Sequence, residues 1–322
     1  MLSSRVEKTG PAVSLVFISP SDFLELEQCE PPTACNLPRN IAIQAREIPT
    51  VYKVQDEYAG GSGFRYFMDG VQRTVLWQHY NFDGAQIPVF LHFSGAVILE
   101  RVKADRFVPV DSLYRSAVLL PTFLYEKYAG TEGLVDTGAE RYWDLGDIRA
   151  RAGARSRDLR QGIEEELLLH FLETREGAIL LKDGNILGTT RSSLVIGLVK
   201  THQTLYLQEG YPLLQQLIWG MGEFYRSMDF SLQLQDGPRQ RVGTFYLRVH
   251  PPSHPEMGLL RVEYNPPSVP IDTLASWLIA ERCIRANSAR WDRQIYPIQA
   301  CEDYLRTQLP PLHHIQVIVR SF

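Results

Sequence analysis

Cysteine is scarce in this chain. The four thiols, Cys29, Cys35, Cys283 and Cys301, form no C-x-x-C pair. Their spacing fits no zinc template, and reduced thiols in a cytoplasmic protein are the expected state. No apolar run approaches the ~20 residues that span a bilayer, so a membrane partner is not expected. The first residues, Met1-Leu2-Ser3-Ser4-Arg5-Val6-Glu7-Lys8, lack a basic stretch followed by an apolar one, so no secretory leader is expected. No excess of positive charge exists either: the formal net charge is -4 and the pI about 6.1. That argues against a surface coated for bulk nucleic-acid binding but leaves room for a local basic groove. No G-x-x-x-x-G-K-[ST] loop is present, which excludes ATP hydrolysis through a P-loop, and no G-x-S-x-G nucleophile elbow occurs. Internal repeats and low-complexity tracts are absent.

What remains is an ordinary globular composition. Of 322 residues, 44% are hydrophobic and 22% charged, enough for a substantial core in one large domain or two smaller ones. Four Asp-Gly pairs punctuate the chain. Asp83-Gly84 and Asp236-Gly237 read as plain turns. Asp69 and Asp183 differ because each ends an apolar run, Phe64-Arg65-Tyr66-Phe67-Met68 and Ala178-Ile179-Leu180-Leu181-Lys182. A carboxylate at the tip of a buried strand is costly unless paired. A hard divalent cation is one such partner, since it takes oxygen ligands. The same two pairs also fit hairpin turns.

The remaining pattern is a mixed sheet with helices. Residues 1–63 read as an extension with one strand, Val13–Ile18, a Pro-rich stretch and the break Gly60-Gly61-Ser62-Gly63. Residues 64–322 read as one domain. An antiparallel meander is expected over 64–102, with a helical and loop insertion at about 103–155. A helix is expected from about Ser156 to Thr174, because Leu159, Ile163, Leu167 and Phe171 recur every four residues. Strands follow near 194–200, 204–207, 245–249, 259–264 and 315–319, and helices near 211–221, 271–286 and 298–307.

At ~100° per residue, Glu165 points away from the apolar stripe of that helix, and Glu166 and Glu164 fall at its opposite edges. Glu166, near Ile163 and His170 in angle, is the edge carboxylate expected to join Asp69 and Asp183. A solvated acidic face is the other reading of this run. Upstream, Arg149, Arg151, Arg155, Arg157 and Arg160 crowd together. They suit phosphates, since guanidinium groups bind them bidentately, or internal pairing with Asp144, Asp147 and Asp158.

Taken in order, Phe67-Met68-Asp69-Gly70, the helix Glu, Leu180-Leu181-Lys182-Asp183-Gly184-Asn185-Ile186-Leu187, Val195-Ile196-Gly197-Leu198-Val199-Lys200, Arg261-Val262-Glu263 and Tyr296-Pro297 resemble the NurA nuclease family. The resemblance spans roughly residues 64–308. It implies an α/β fold with an RNase H-like mixed β-sheet flanked by helices. It also implies a Mn²⁺- or Mg²⁺-dependent DNA nuclease in DNA end processing, a homodimer, and a HerA-like hexameric ATPase as partner. Carried over by residue, Asp69, Glu166 and Asp183 would bind metal, and Lys200 and Tyr296 would line the site. Arg73, Arg155, Arg157, Arg160, Lys200 and Arg261 would face DNA, and Glu263 belongs to the later strand motif. One departure stands out: the family carries His on the helix after Tyr-Pro, and here Tyr304 takes that place. Asp303 or Glu302 is then the substitute oxygen ligand. A catalytically impaired subunit that binds DNA or the ATPase is the alternative, and activity on RNA or hybrids a third reading.

Overall fold

Asp83 and Gly84 both adopt positive φ, 49° and 78°, the geometry of a two-residue hairpin turn whose twist matches the strands it joins. This turn connects two long strands, β3 (Tyr66–Phe82) and β4 (Ala85–Lys103), and β5 (Arg106–Leu120) completes the meander. In the computed structural model the described residues are 41–54, 61–175, 177, 179–201, 206–207, 211–234, 240–266, 269–284 and 291–311. The expected strands at Val13–Ile18 and 315–319, Cys29, Cys35 and Asp236-Gly237 lie outside them, as do two residues of the strand expected at 204–207. Tyr206 and Leu207 lie in a turn.

After β5 come α1 (Thr122–Lys127), β6 (Leu134–Asp136) and α2 (Leu145–Thr174), a helix of 30 residues capped by the Asp144 carboxylate. The region expected to be an insertion of helix and loop is thus the third strand of the meander, a short helix and the start of α2. Then β7 (Leu180–Asp183) joins β3 in parallel, and β8 (Val195–Val199) joins β7 in parallel. The order β5-β4-β3-β7-β8, with a helix between the meander and the parallel pair, is an RNase H-like core.

Around that core the sheet grows to twelve strands among the described residues. β1 (Ile41–Ala45), β10 (Phe230–Leu234), β11 (Arg241–Arg248) and β12 (Leu259–Tyr264) continue from β8 in the order β8-β12-β11-β10-β1. β2 (Val51–Lys53) and β9 (Tyr225–Ser227) form a side branch on β11. Strand alternation divides the side chains between two faces. Phe67, Val97, Leu181, Leu198 and Val262 pack beneath α4 (Ile271–Ala280) and α5 (Tyr296–Gln308). Tyr66, Met68, Ile98, Leu180 and Val195 pack beneath α2 and α3 (Pro212–Gly220). The far end of the hairpin has its own small core, including Ile87, Phe90, Leu119, Leu124 and Ile148. Among the described residues no helix is long and apolar enough to cross a membrane.

Candidate active site

Asp69 lies inside a strand, not at the end of one. β3 continues through Gly70 because β4 pairs with it the whole way, Asp69 opposite Val97 and Gly70 opposite Ala96. The strand that ends here is β7. It pairs with β3 only over Leu180–Lys182, with Met68 opposite Lys182. The next residue on each strand is an aspartate. Asp69 follows Phe67 by two positions and Asp183 follows Leu181 by two, so both carboxylates leave the sheet on the α5 face. The sheet thus forks just beyond two neighbouring aspartates.

Lys200, the first residue after β8, reaches back to this fork. Its ammonium donates to Asp183 Oδ2 at 3.1 Å and to Gln294 Oε1 at 3.1 Å. Arg293 fixes the Lys200 backbone by donating to its carbonyl at 2.9 Å. Asp69 Oδ1 accepts the Gly70 N–H at 2.7 Å, and the thiol of Cys301 on α5 donates to the Phe67 carbonyl at 3.4 Å. Burial, then the neighbouring Asp183 carboxylate, push the Asp69 carboxyl well above the usual carboxylate range. Lys200 acts in the other direction, and Glu164 and Glu302 add to the rise. Burial works against the Lys200 ammonium, but Asp183 and Asp69 outweigh it and hold that group above the ordinary lysine value.

The helix carboxylate at this level is Glu164, not Glu166. Glu166 is half exposed and pairs with Arg115 on β5. The buried face of α2 includes Leu168 as well as Ile163, Leu167 and Phe171. That addition swings the centre of the stripe by ~20–30° toward Glu164 and carries Glu166 to the outside. Glu164 is 4% exposed. It approaches the fork from the α2 face, filling the space that Gly70 leaves by having no side chain. Its oxygens are held by Lys182 Nζ at 3.0 Å and by Arg160. Lys182 belongs to the quoted motif run, but nothing in the motif order points to its ion pair with Glu164.

Other expected site residues lie elsewhere. Tyr296 is half exposed, with its ring 6.1 Å from that of Phe107. Asp303 is exposed, and Tyr304 lies at the edge of α5 that faces Tyr114 on β5. Glu302 is at the opposite edge, on the side of Asp69 and Lys200, and pairs with Arg306 at 2.7 Å. Arg261 is 4% exposed and bound to Glu263 at 2.9 Å, which removes it from any DNA-facing surface. Arg73 donates to the Pro310 carbonyl, and Arg160 is taken up by Glu164. Arg155 and Arg157 are exposed on α2, across the sheet from Asp69. Nothing in the sequence setting of Gln294 distinguishes it as a site residue.

Among the described residues, no group of three or more Asp, Glu, His or Cys side chains converges as a metal centre. The three-carboxylate set expected from the sequence therefore does not form. Asp69 and Asp183 still suit a hydrated hard cation, because Mg²⁺ commonly takes one or two carboxylates and completes its shell with water and substrate phosphate. Burial first, and the adjacent Asp183 carboxylate second, raise the Asp69 pKa despite the Lys200 ammonium.

No protein-family model and no curated protein matches this chain. Among solved structures, the crystal structure of A. aeolicus Argonaute is similar over 77% of this chain, at 11% identity and a TM-score of 0.29. The matched part is 28% of the Argonaute chain, so this chain spans little more than a quarter of that protein. A likeness at that level bears on neither fold nor activity.

Proposed function

We propose that this chain is a NurA-like, divalent-metal-dependent DNA nuclease acting in DNA end processing, as a homodimer with a HerA-like hexameric ATPase. The observation that carries the reading is the fork: two aspartates level on adjacent parallel strands, with Lys200 on one of them. The ordered motifs that resemble the family supply the substrate and the partner.

In this reading Asp69 and Asp183 hold a Mn²⁺ or Mg²⁺ ion. Such an ion supplies Lewis-acid charge at the phosphate and a bound water of lowered pKa. Lys200, kept cationic by the two aspartates, faces the phosphate and offsets the charge that develops on it. Gln294 fixes the Lys200 ammonium through its amide oxygen. Glu164, already bound by two cations, keeps the α2 side of the fork closed.

The test is cleavage of single- and double-stranded DNA with Mn²⁺, Mg²⁺ or EDTA, comparing wild type with Asp69→Ala and Asp183→Ala. Metal-dependent cleavage that both substitutions abolish is expected. Cleavage that survives both would remove the fork as the site. RNA and hybrid substrates in the same assay separate a deoxyribonuclease from a broader one.

A second reading has its own observation. Tyr304, at the position of the family's motif His, lies toward Tyr114, and Glu164 is saturated by Lys182 and Arg160. A catalytically impaired subunit that binds DNA or the ATPase would have such a site. It predicts DNA or ATPase binding without metal-stimulated cleavage.

A further inference from the structure

The Arg261–Glu263 pair is buried at the middle of the sheet, and the chemistry described so far does not use it. Glu263 is 0% exposed and Arg261 4%. Burying two charges is expensive, and such a pair is often no more stable than apolar side chains of the same size. Its partners show what it holds. Glu263 Oε1 accepts from Arg261 Nη2 at 2.9 Å, and the Arg261 guanidinium lies 4.7 Å from the centre of the Tyr206 ring. Glu263 Oε2 accepts from two successive backbone amides, Ile186 N–H at 2.9 Å and Leu187 N–H at 3.2 Å.

Those amides belong to the turn that leaves β7 directly after Asp183. The strand registers explain how the turn reaches Glu263. Lys182 on β7, Gly197 on β8 and Glu263 on β12 stand in one row across the sheet. Gly197 leaves a gap in that row. The turn folds back into the gap, so that a Cβ on Gly197 would lie 2.8 Å from the Gly184 carbonyl and 2.9 Å from Ile186. Gly184, at φ 94°, makes the reversal, and its N–H donates to the Leu198 carbonyl at 2.8 Å. Gln240 holds the far side of the turn through the Ile186 carbonyl at 3.2 Å.

We infer that Glu263 is a positioning residue for Asp183: its carboxylate clamps the turn into the Gly197 gap and so fixes the carboxylate of Asp183 beside Asp69. Arg261 orients the Glu263 carboxylate through their ion pair. This inference rests on the reading of Asp69 and Asp183 as a metal-binding pair.

The experiment compares wild type, Glu263→Gln and the double variant Arg261→Met with Glu263→Leu. The double variant replaces the ion pair by apolar side chains and keeps the test open if the single change leaves Arg261 unpaired and the chain unfolded. Two quantities are measured on folded protein: Mn²⁺ affinity by electron paramagnetic resonance, and amide hydrogen exchange across residues 183–188. The clamp predicts faster exchange at Ile186 and Leu187 with protection kept elsewhere. It also predicts Mn²⁺ affinity weaker by roughly tenfold or more, the usual effect of losing a partner behind a metal ligand. Unchanged exchange at those two amides overturns the clamp. Faster exchange with unchanged Mn²⁺ affinity overturns the positioning role and leaves the metal reading standing. Wild-type protein that binds no Mn²⁺ through Asp183 overturns the metal reading, and the positioning role with it.

Discussion

Lowering the pH from 7 to 4 should weaken the fold through one buried ring, His92 on β4. This residue is 1% exposed. Its Nδ1 faces two hydroxyls, Ser156 Oγ of α2 at 2.9 Å and Thr74 Oγ1 of β3 at 3.1 Å. The two hydroxyls also bond to each other, so they and Nδ1 form a closed cluster around a ring that burial keeps neutral. Nε2 is buried without a hydrogen-bond partner. Burial lowers the His92 pKa from 6.5 to about 4. Above pH 6.5 the ring is neutral folded and unfolded, and the neutral form's advantage in the fold is fully present. Between 6.5 and 4 the unfolded chain takes up a proton that the folded chain refuses, so stability falls with pH. At 1.36 kcal/mol per pKa unit the total loss is about 3 kcal/mol, complete near pH 4. That is a large share of the ~5–15 kcal/mol of a typical domain. The assay is urea unfolding of wild type and His92→Asn at half-unit steps of pH. Asn keeps an acceptor near the Nδ1 position and does not titrate, so the difference between the two curves isolates His92 from the carboxylates. Wild type should lose about 3 kcal/mol relative to the variant between pH 6.5 and 4. A flat difference would refute the reasoning.

Asp69→Asn should raise the melting temperature at neutral pH while ending metal binding. The folded pKa lies above the unfolded one, so the ionised carboxyl costs stability as pH rises through that interval, and the gain should vanish near pH 4; a lower melting temperature at pH 7 contradicts this. By the same shift, Mn²⁺ affinity should rise with pH across the interval in which Asp69 titrates, and calorimetric heats there should depend on the buffer's ionisation enthalpy. Equal heats in two such buffers would remove Asp69 from the ligand set. Lys182→Met should cost about 3 kcal/mol, the low end for a broken buried pair because Arg160 still holds Glu164. Adding Glu164→Leu should recover most of that loss in urea unfolding; a single-variant loss within experimental error would show the triad to be idle.

The order of elements was largely legible because most rest on local patterns. Asp83-Gly84 is a hairpin turn by composition and by backbone angle. The two apolar runs before Asp69 and Asp183 lead into strands β3 and β7, as short continuous apolar runs suggest. Asp69-Gly70 has the same composition as a turn, yet the chain runs straight through it. A partner strand, which no local window contains, supplies the pairing that overrides the turn. Which helix carboxylate reaches the site depends on tertiary packing for a related reason. Four residues at a spacing of four define a stripe, but its centre depends on whether Leu168 is also buried, and the neighbouring sheet decides that. Arg261 is expected to face DNA only through the family resemblance, and no local pattern shows which way its side chain points. Here both faces of the sheet are covered, so the alternating charges turn inward and pair.

The fork joins strands that are far apart in the chain. About 110 residues separate Asp69 from Asp183, and the meander and all of α2 must be made between them. Lys200, Glu263, Gln294 and Glu302 arrive later still. Closing so long a loop to form a parallel pair is slow compared with hairpin formation. On a ribosome the hairpin can form early, but the two aspartates cannot meet until more than half of the chain has emerged. A chain released early therefore carries Asp69 without the partners that shift its pKa. The fork exists only once the chain has been made past Asp183 and Lys200.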